Sequence, residues 1–236
     1  MAILLSRVDK RFPVTVVALA GNLDAQTVGD AESILWDCLA EMPCALVIDG
    51  AELTCDAQGW QWLSGLHERA ASWPGAPVSL VGGSGPVNGS VSGLAAIARY
   101  PSVESALESQ GALAAGQRRQ ATLPPDPSSC GYARELVAKA CDEWGLRRPR
   151  RLAELLISEL VANGVMHART DLMVTVRLCD EALELSVRDQ SPRVIPPPEA
   201  DPRGFGLQLV AQLSDSWGWA SVGSGKVVWS RLPGVS

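Results

Sequence analysis

Three short segments in the second half of the chain hold the residues whose types and spacing could do chemistry. The first runs from Ile157 to Ala168, with Glu159 and Asn163 four residues apart. In a helix that spacing puts both on one face, and His167 extends the row by a further turn. A carboxamide oxygen can hold Mg²⁺, a hard cation that takes oxygen ligands. A carboxylate one turn away can orient a water or take the proton of a hydroxyl nucleophile. The same spacing also describes an ordinary amphipathic helix with a polar outer face. The second segment is Leu185 to Arg193. There Asp189 leaves the end of an apolar run, placed either to accept a hydrogen bond from a ligand amino group or to cap a turn. The third is Arg203-Gly204-Phe205-Gly206-Leu207 and the apolar residues after it. Two glycines opening a helix bare backbone N–H groups that can cradle phosphate oxygens, with the helix dipole adding to the attraction. A lone GxG more often marks a turn. No GK[ST] follows, so this is no Walker loop, and a loop rather than a strand leads into it, so it is no Rossmann fingerprint.

The elements that must position these residues can be read from periodicity. Leu152, Leu155, Leu156, Leu160 and Val161 give one helix, from about Pro149 to His167, a continuous apolar stripe. A preceding helix is expected from about Gly131 to Glu143, after an extended Ala121–Pro125 that the following prolines keep out of the helical region. Met173–Leu178 and Ala182–Val187 alternate as strands, and Phe205–Leu213 reads as a third helix. Between them lies a proline-rich loop from Gln190 to Arg203. Ser216–Ser221 and Lys226–Leu232 close the chain as a hairpin, with Trp217, Trp219 and Trp229 expected in its core.

The first half reads as a separate α/β layer. Strands are expected at Val14–Ala20, Ala45–Ile48 and Val78–Val81. Helices are expected at Thr27–Glu41, Gly59–Ala71, Leu94–Ala98 and Val103–Leu107. Trp60 and Trp62 are two apart and cannot share one narrow helix face, which leaves either burial of both or one exposed anchor. Residues 111–120 are small and polar without periodicity and read as a linker between residues 8–110 and 121–236. Charge supports the division. Residues 1–115 carry five Lys/Arg against twelve Asp/Glu, whereas the remainder carries fifteen against fourteen.

With a net charge of −6, the chain is a poor candidate for direct nucleic-acid binding, which depends on cations neutralising phosphates. Six cysteines occur without a CxxC pair, and only two histidines accompany them, so no zinc-type spacing is present. No apolar run approaches the roughly 20 residues of a membrane helix, and no signal peptide is legible. A cytoplasmic protein without a membrane anchor is the expectation.

The order and separations of the three segments resemble the N, G1 and G2 boxes of the GHKL ATPase superfamily. Ala121–Ser129, Ala133-Arg134, Glu143–Leu146, Ser214–Trp219 and Gly225–Trp229 resemble the anti-sigma-factor serine kinase branch of it. The resemblance implies a Bergerat-type α/β sandwich over 121–236 that binds ATP and Mg²⁺. It implies that Asn163 holds Mg²⁺, that Glu159 is the base for a protein hydroxyl, and that Asp189 meets the adenine amino group. Gly204, Gly206 and the neighbouring Phe205 and Leu207 would lie at the phosphates, Arg203 near the terminal one, and His167 beside the nucleotide. Residues 190–203 would form a lid. In this chain Gln190-Ser191-Pro192 stands where the wider superfamily has a glycine pair, which makes turnover less secure than binding.

Ala20–Thr27, with Gly21, Leu23, Asp24 and Thr27, resembles the GxLDxxT signature of STAS domains, and Leu46–Asp49 and Leu53–Trp60 fit the same pattern. The resemblance implies a STAS-like α/β domain over residues 8–110, the fold of anti-sigma-factor antagonists. Those antagonists carry a phosphorylated hydroxyl directly after the Asp that matches Asp56; here Ala57 and Gln58 carry none. The implied function is an ATP-dependent serine/threonine protein kinase in partner-switching control of transcription. Its partners would be a sigma factor and/or a separate STAS antagonist. The alternative is a catalytically inactive ATP-binding partner-switch module, whose STAS half is a tethered pseudo-substrate or docking surface. Dimers are usual in the families it resembles, so a homodimer is among the expected assemblies.

Overall fold

A computed structural model describes residues 4–71, 76–82, 97–113, 117–179, 182–192, 205–223 and 225–232; the side chains of 11, 67–71, 111–113 and 205 are outside the description. The chain divides into two compact units, Met1–Ala115 and Gly116–Ser236.

In the first unit the β-branched run after Pro13 forms β2 (Val14–Leu23), paired antiparallel with β1 (Leu4–Arg11). Helix α1 (Val28–Leu39) leads to β3 (Ala45–Cys55), and α2 (Ala57–Ala71) leads to β4 (Val78–Gly82). Then come β5 (Ala98–Tyr100) and α3 (Val103–Leu113). The sheet order is β1-β2-β3-β4-β5, with β2 to β5 parallel. Parallel strands buried on both faces read as continuous apolar runs, and Ala45–Ile48 is such a run, buried throughout. This is the α/β layer expected of the first half.

Several boundaries differ from expectation. Strand β1 went unread because its residues are mostly exposed and do not alternate, as suits an edge. The helical piece expected at Leu94–Ala98 is not borne out where it can be checked: Ala98 opens β5, a three-residue strand too short to show a period of two, and 94–96 lie outside the described residues. The expected linker 111–120 is also displaced. Helix α3 runs through Leu113, and Gln117 already begins β6 (Gln117–Leu123). That strand lies at a sheet edge with its polar side chains in solvent, so it lacks the apolar alternation that marks a strand. Trp60 and Trp62 are both buried, at 8% exposure each.

The second unit continues with α4 (Ser129–Glu143), α5 (Arg150–His167), β7 (Leu172–Cys179) and β8 (Ala182–Asp189). Helix α6 (Phe205–Leu213), β9 (Ser216–Val222) and β10 (Gly225–Leu232) complete it. The sheet order is β6-β7-β8-β10-β9, every neighbouring pair antiparallel. One face of this sheet, through Val174, Val176, Leu183, Leu185, Val187 and Val228, meets the apolar stripe of α5. Ala153, Leu156, Ile157, Leu160 and Val161 of that stripe have no solvent exposure. At about 1.5–3 kcal/mol for each large aliphatic side chain, this stripe holds α5 firmly on the sheet. The result is a two-layer α/β sandwich, as expected. Trp229 is buried, but Trp219 is 37% exposed, because β9 is an edge strand. No helix among the described residues is long and apolar enough to cross a membrane.

Gly164 sets the distance between α5 and β7. A Cβ added there would lie 2.8 Å from Cδ2 of Leu172, a side chain with no exposure. Gly164→Val should therefore lower stability by about 1–3 kcal/mol through overpacking. Urea unfolding of wild type and variant checks this, and an unchanged midpoint would show that the contact can relax without cost.

Candidate nucleotide site

Helix α5 carries the first polar row. Its apolar face is consumed by the sheet, so Glu159 and Asn163 are left partly exposed on the other side, with His167 exposed in the last turn. A basic residue at a helix C-terminus is favoured by the dipole. Helix α4 packs along the same side of α5. From it, Arg134 Nη1 donates to Ser158 Oγ at 3.2 Å, and Ser158 Oγ in turn donates to the Glu154 carbonyl at 2.7 Å. Cys130 Sγ lies 3.8 Å from the Ser158 carbonyl. Burial pushes the Cys130 thiol up; Arg134 opposes the shift and Glu159 adds to it. Arg134 thus puts a positive charge beside the Glu159 turn. Arg134 stands out in the sequence only through the resemblance, because a single Arg on an amphipathic helix has no distinguishing spacing.

The start of α6 is pressed against this row. A Cβ built on Gly206 would stand 2.5 Å from Oε2 of Glu159. A side chain at 206 would have to displace the flexible Glu159 carboxylate, so the glycine marks a close approach of the α6 start to that group. Leu207, the next residue, is 8% exposed and belongs to the apolar core, where its side chain anchors α6 while its backbone stays at the helix start. Phe205 is the first residue of α6. Arg203 and Gly204 lie outside the described residues, as does most of the loop expected as a lid.

Asp189 closes β8, and its geometry is more specific than the sequence suggested. Its carboxylate lies on the helix-facing side of the sheet, in file with Val187, Leu185 and Leu183. Oδ1 accepts from the Ser191 N–H at 2.8 Å. Oδ2 lies 2.8 Å from Nζ of Lys226, the residue directly opposite in the β8–β10 ladder, and both side chains are 3% exposed. The contact has ion-pair distance without hydrogen-bond alignment: the ammonium has no hydrogen-bond partner among the described residues. In the sequence Lys226 is simply a strand residue, since cross-strand register is not visible there. Gly225 permits the pairing, because a Cβ there would run into the Asp189 carbonyl. The exit from β8 is tied down as well: the Gln190 N–H donates to Thr170 Oγ1 at 3.1 Å, just beyond the end of α5.

These groups suit a nucleotide triphosphate. A buried carboxylate beside an unsatisfied ammonium offers polar partners for a base, and glycine backbone at a helix start offers N–H groups to phosphate. No group of three His, Cys, Asp or Glu able to hold a metal occurs among the described residues.

Residues 123–232 match the family model of the histidine kinase-like ATPase domain. No curated protein matches the chain. Among solved structures, an anti-sigma factor antagonist from Mycobacterium paratuberculosis is similar at 25% identity, over 45% of this chain and 93% of that one, with a TM-score of 0.39. The RsbU and RsbW domains of a Mycobacterium tuberculosis protein are similar at 18% identity, over 49% of this chain and 32% of that one, with a TM-score of 0.39. The unphosphorylated anti-sigma factor antagonist SpoIIAA is similar at 14% identity, over 45% of this chain and 97% of that one, with a TM-score of 0.36.

The buried pair makes a stability prediction. Asp189→Ala leaves the Lys226 ammonium buried without its counter-charge and should cost about 3–5 kcal/mol. Replacing both, as Asp189→Leu with Lys226→Met, should recover most of that loss. Chemical denaturation of the three proteins tests it, and a double variant no better than Asp189→Ala would show that the pair is not an isolated electrostatic unit.

Proposed function

We propose that this chain, whose residues 123–232 carry a histidine kinase-like ATPase domain, is an ATP-dependent serine/threonine protein kinase of the anti-sigma-factor type. It would act in partner-switching control of transcription, in the cytoplasm, by phosphorylating a separate STAS antagonist and by sequestering a sigma factor. The observation that carries this reading is the convergence on α5: the Glu159 carboxylate sits against the Gly206 backbone, with Asn163 one turn further along the same helix. Helix α5 also packs on β8, the strand that ends in Asp189.

Each residue then has a role set by its chemistry. When bound, ATP with Mg²⁺ supplies the phosphoryl group and the cation that offsets its charge. Asn163 offers an amide oxygen to the cation. Glu159 accepts the proton of the incoming serine or threonine hydroxyl. Phe205, Gly206 and Leu207, at the start of α6, would offer backbone N–H groups to phosphate, and the resemblance adds Gly204 and Arg203 to that set. Asp189 accepts from the base amino group. His167, exposed in the last turn of α5, lies at the margin of the site.

The first unit would be a STAS-like partner rather than a substrate. Asp56 caps α2, its Oδ1 accepting the Gly59 N–H at 2.8 Å, and Ala57 and Gln58 are the first residues of that helix. No hydroxyl stands there, which favours a substrate in trans and a docking or pseudo-substrate role for this unit. One observation favours the alternative of an ATP-binding module without turnover: Gln190-Ser191-Pro192 stands where the wider superfamily has a glycine pair.

Purified protein, Mg²⁺-ATP and an added STAS protein test the proposal. Wild type should bind ATP and transfer phosphate. Glu159→Ala should keep ATP binding and lose transfer about 100-fold or more, the scale of a general base. Asn163→Ala should lose the Mg²⁺-dependent part of binding. ATP binding without transfer to any protein hydroxyl would leave the partner-switch module in its place. Phosphate appearing on residues 1–115 would contradict a substrate in trans.

A further inference from the structure

Lys226 has no place in the mechanism above, yet it is a deeply buried charge of the second unit. A lysine buried to 3% exposure is unusual, since Lys is almost never fully buried unless paired. Its pairing with Asp189 is incomplete. Nζ stands 2.8 Å from Oδ2, in ion-pair contact without hydrogen-bond alignment, and makes no hydrogen bond to any described residue, so its remaining N–H donors are unanswered in a dry environment. Asp189 is half-used as well: Oδ1 takes the Ser191 N–H, and Oδ2 has lone pairs left. The ladder register and the Gly225 backbone place the two residues opposite each other.

An acceptor and a donor held side by side is the pattern by which a carboxamide reads an adenine edge in DNA, accepting from the amino group and donating to the adjacent ring nitrogen. Here the acceptor comes from one strand and the donor from the next. We propose that Lys226 is a base-recognition residue, donating from Nζ to the ring nitrogen N1 of a 6-aminopurine whose amino group is accepted by Asp189 Oδ2. This rests on the reading of the second unit as an ATP site and adds to it the donor that the carboxylate cannot supply. N1 rather than N7 follows from burial. The sugar and phosphates must leave toward solvent, and N1 with the amino group forms the end of the purine farthest from the sugar. A bound 6-aminopurine satisfies the ammonium and the free carboxylate lone pair together.

The test compares ATP with 1-deaza-ATP, which keeps the amino group and replaces N1 by C–H. Equilibrium binding to wild type and to Lys226→Met is measured with the full chain. Wild type should bind 1-deaza-ATP about 10- to 100-fold more weakly than ATP, the scale of a hydrogen bond to a charged group. Lys226→Met should bind ATP as weakly as wild type binds the analogue, with no further loss when N1 is removed. Selective ¹⁵N labelling of lysine side chains gives a second readout that needs no folded variant: the shielded ammonium resonance of wild type should shift with ATP and not with 1-deaza-ATP. Equal affinity of wild type for the two nucleotides overturns the assignment while leaving the ATP site intact. So does a Lys226→Met variant that still distinguishes them. If wild type binds neither nucleotide, both this assignment and the ATP-site reading fall.

Discussion

Helix α5 can bring Glu159 and Asn163 to a common ligand only if it cannot rotate about its own axis. Rotation by one residue would turn both polar groups away and force Leu156 or Leu160 into solvent. The stripe from Ala153 through Val161 prevents this, since none of its side chains keeps any exposure. Gly164 then brings the helix close to β7, so the polar row is fixed in height as well as in rotation. The position of α6 follows from the same helix. Leu207 enters the shared core, and Gly206 is left against the Glu159 carboxylate.

The sheet supplies what a helix cannot. An antiparallel ladder places residues of different strands opposite each other at fixed spacing, and β8 and β10 use this to hold Asp189 against Lys226. Core packing and polar chemistry run along one file of side chains, apolar through Leu183, Leu185 and Val187 and charged at Asp189. A buried ion pair is weak evidence for stability, because desolvation offsets most of the attraction. Its retention is easier to understand if the unanswered donors of Lys226 have a ligand to meet. In this account the second unit tolerates an incomplete polar network at one end of its core because nucleotide binding completes it.

The sequence made the long periodic elements legible and the edges illegible. Helix α5 shows its stripe directly, and α6 shows its limits through Gly206 and the polar residues after Leu213. Strands β1 and β6 did not announce themselves, because an edge strand with polar side chains has no alternation to read. The same blindness turned the start of β6 into an expected linker. Of the site, the helical pair Glu159 and Asn163 was visible because its spacing is local. The pairing of Asp189 with Lys226 was not, since it depends on register between strands 37 positions apart in sequence, Asp189 to Lys226. The contact of Gly206 with Glu159 is likewise tertiary, and only the order of the motifs hinted at it.

The central claim is that ATP binds where α5, the end of β8 and the start of α6 meet. Hydrogen exchange followed by mass spectrometry, with and without Mg²⁺-ATP, tests it on the intact chain. The account predicts slowed exchange in peptides containing Asn163, Asp189 and Gly206, with little change in β2 to β4 of the first unit. Nucleotide-dependent protection confined to the first unit, or none anywhere at saturating ATP, would contradict it.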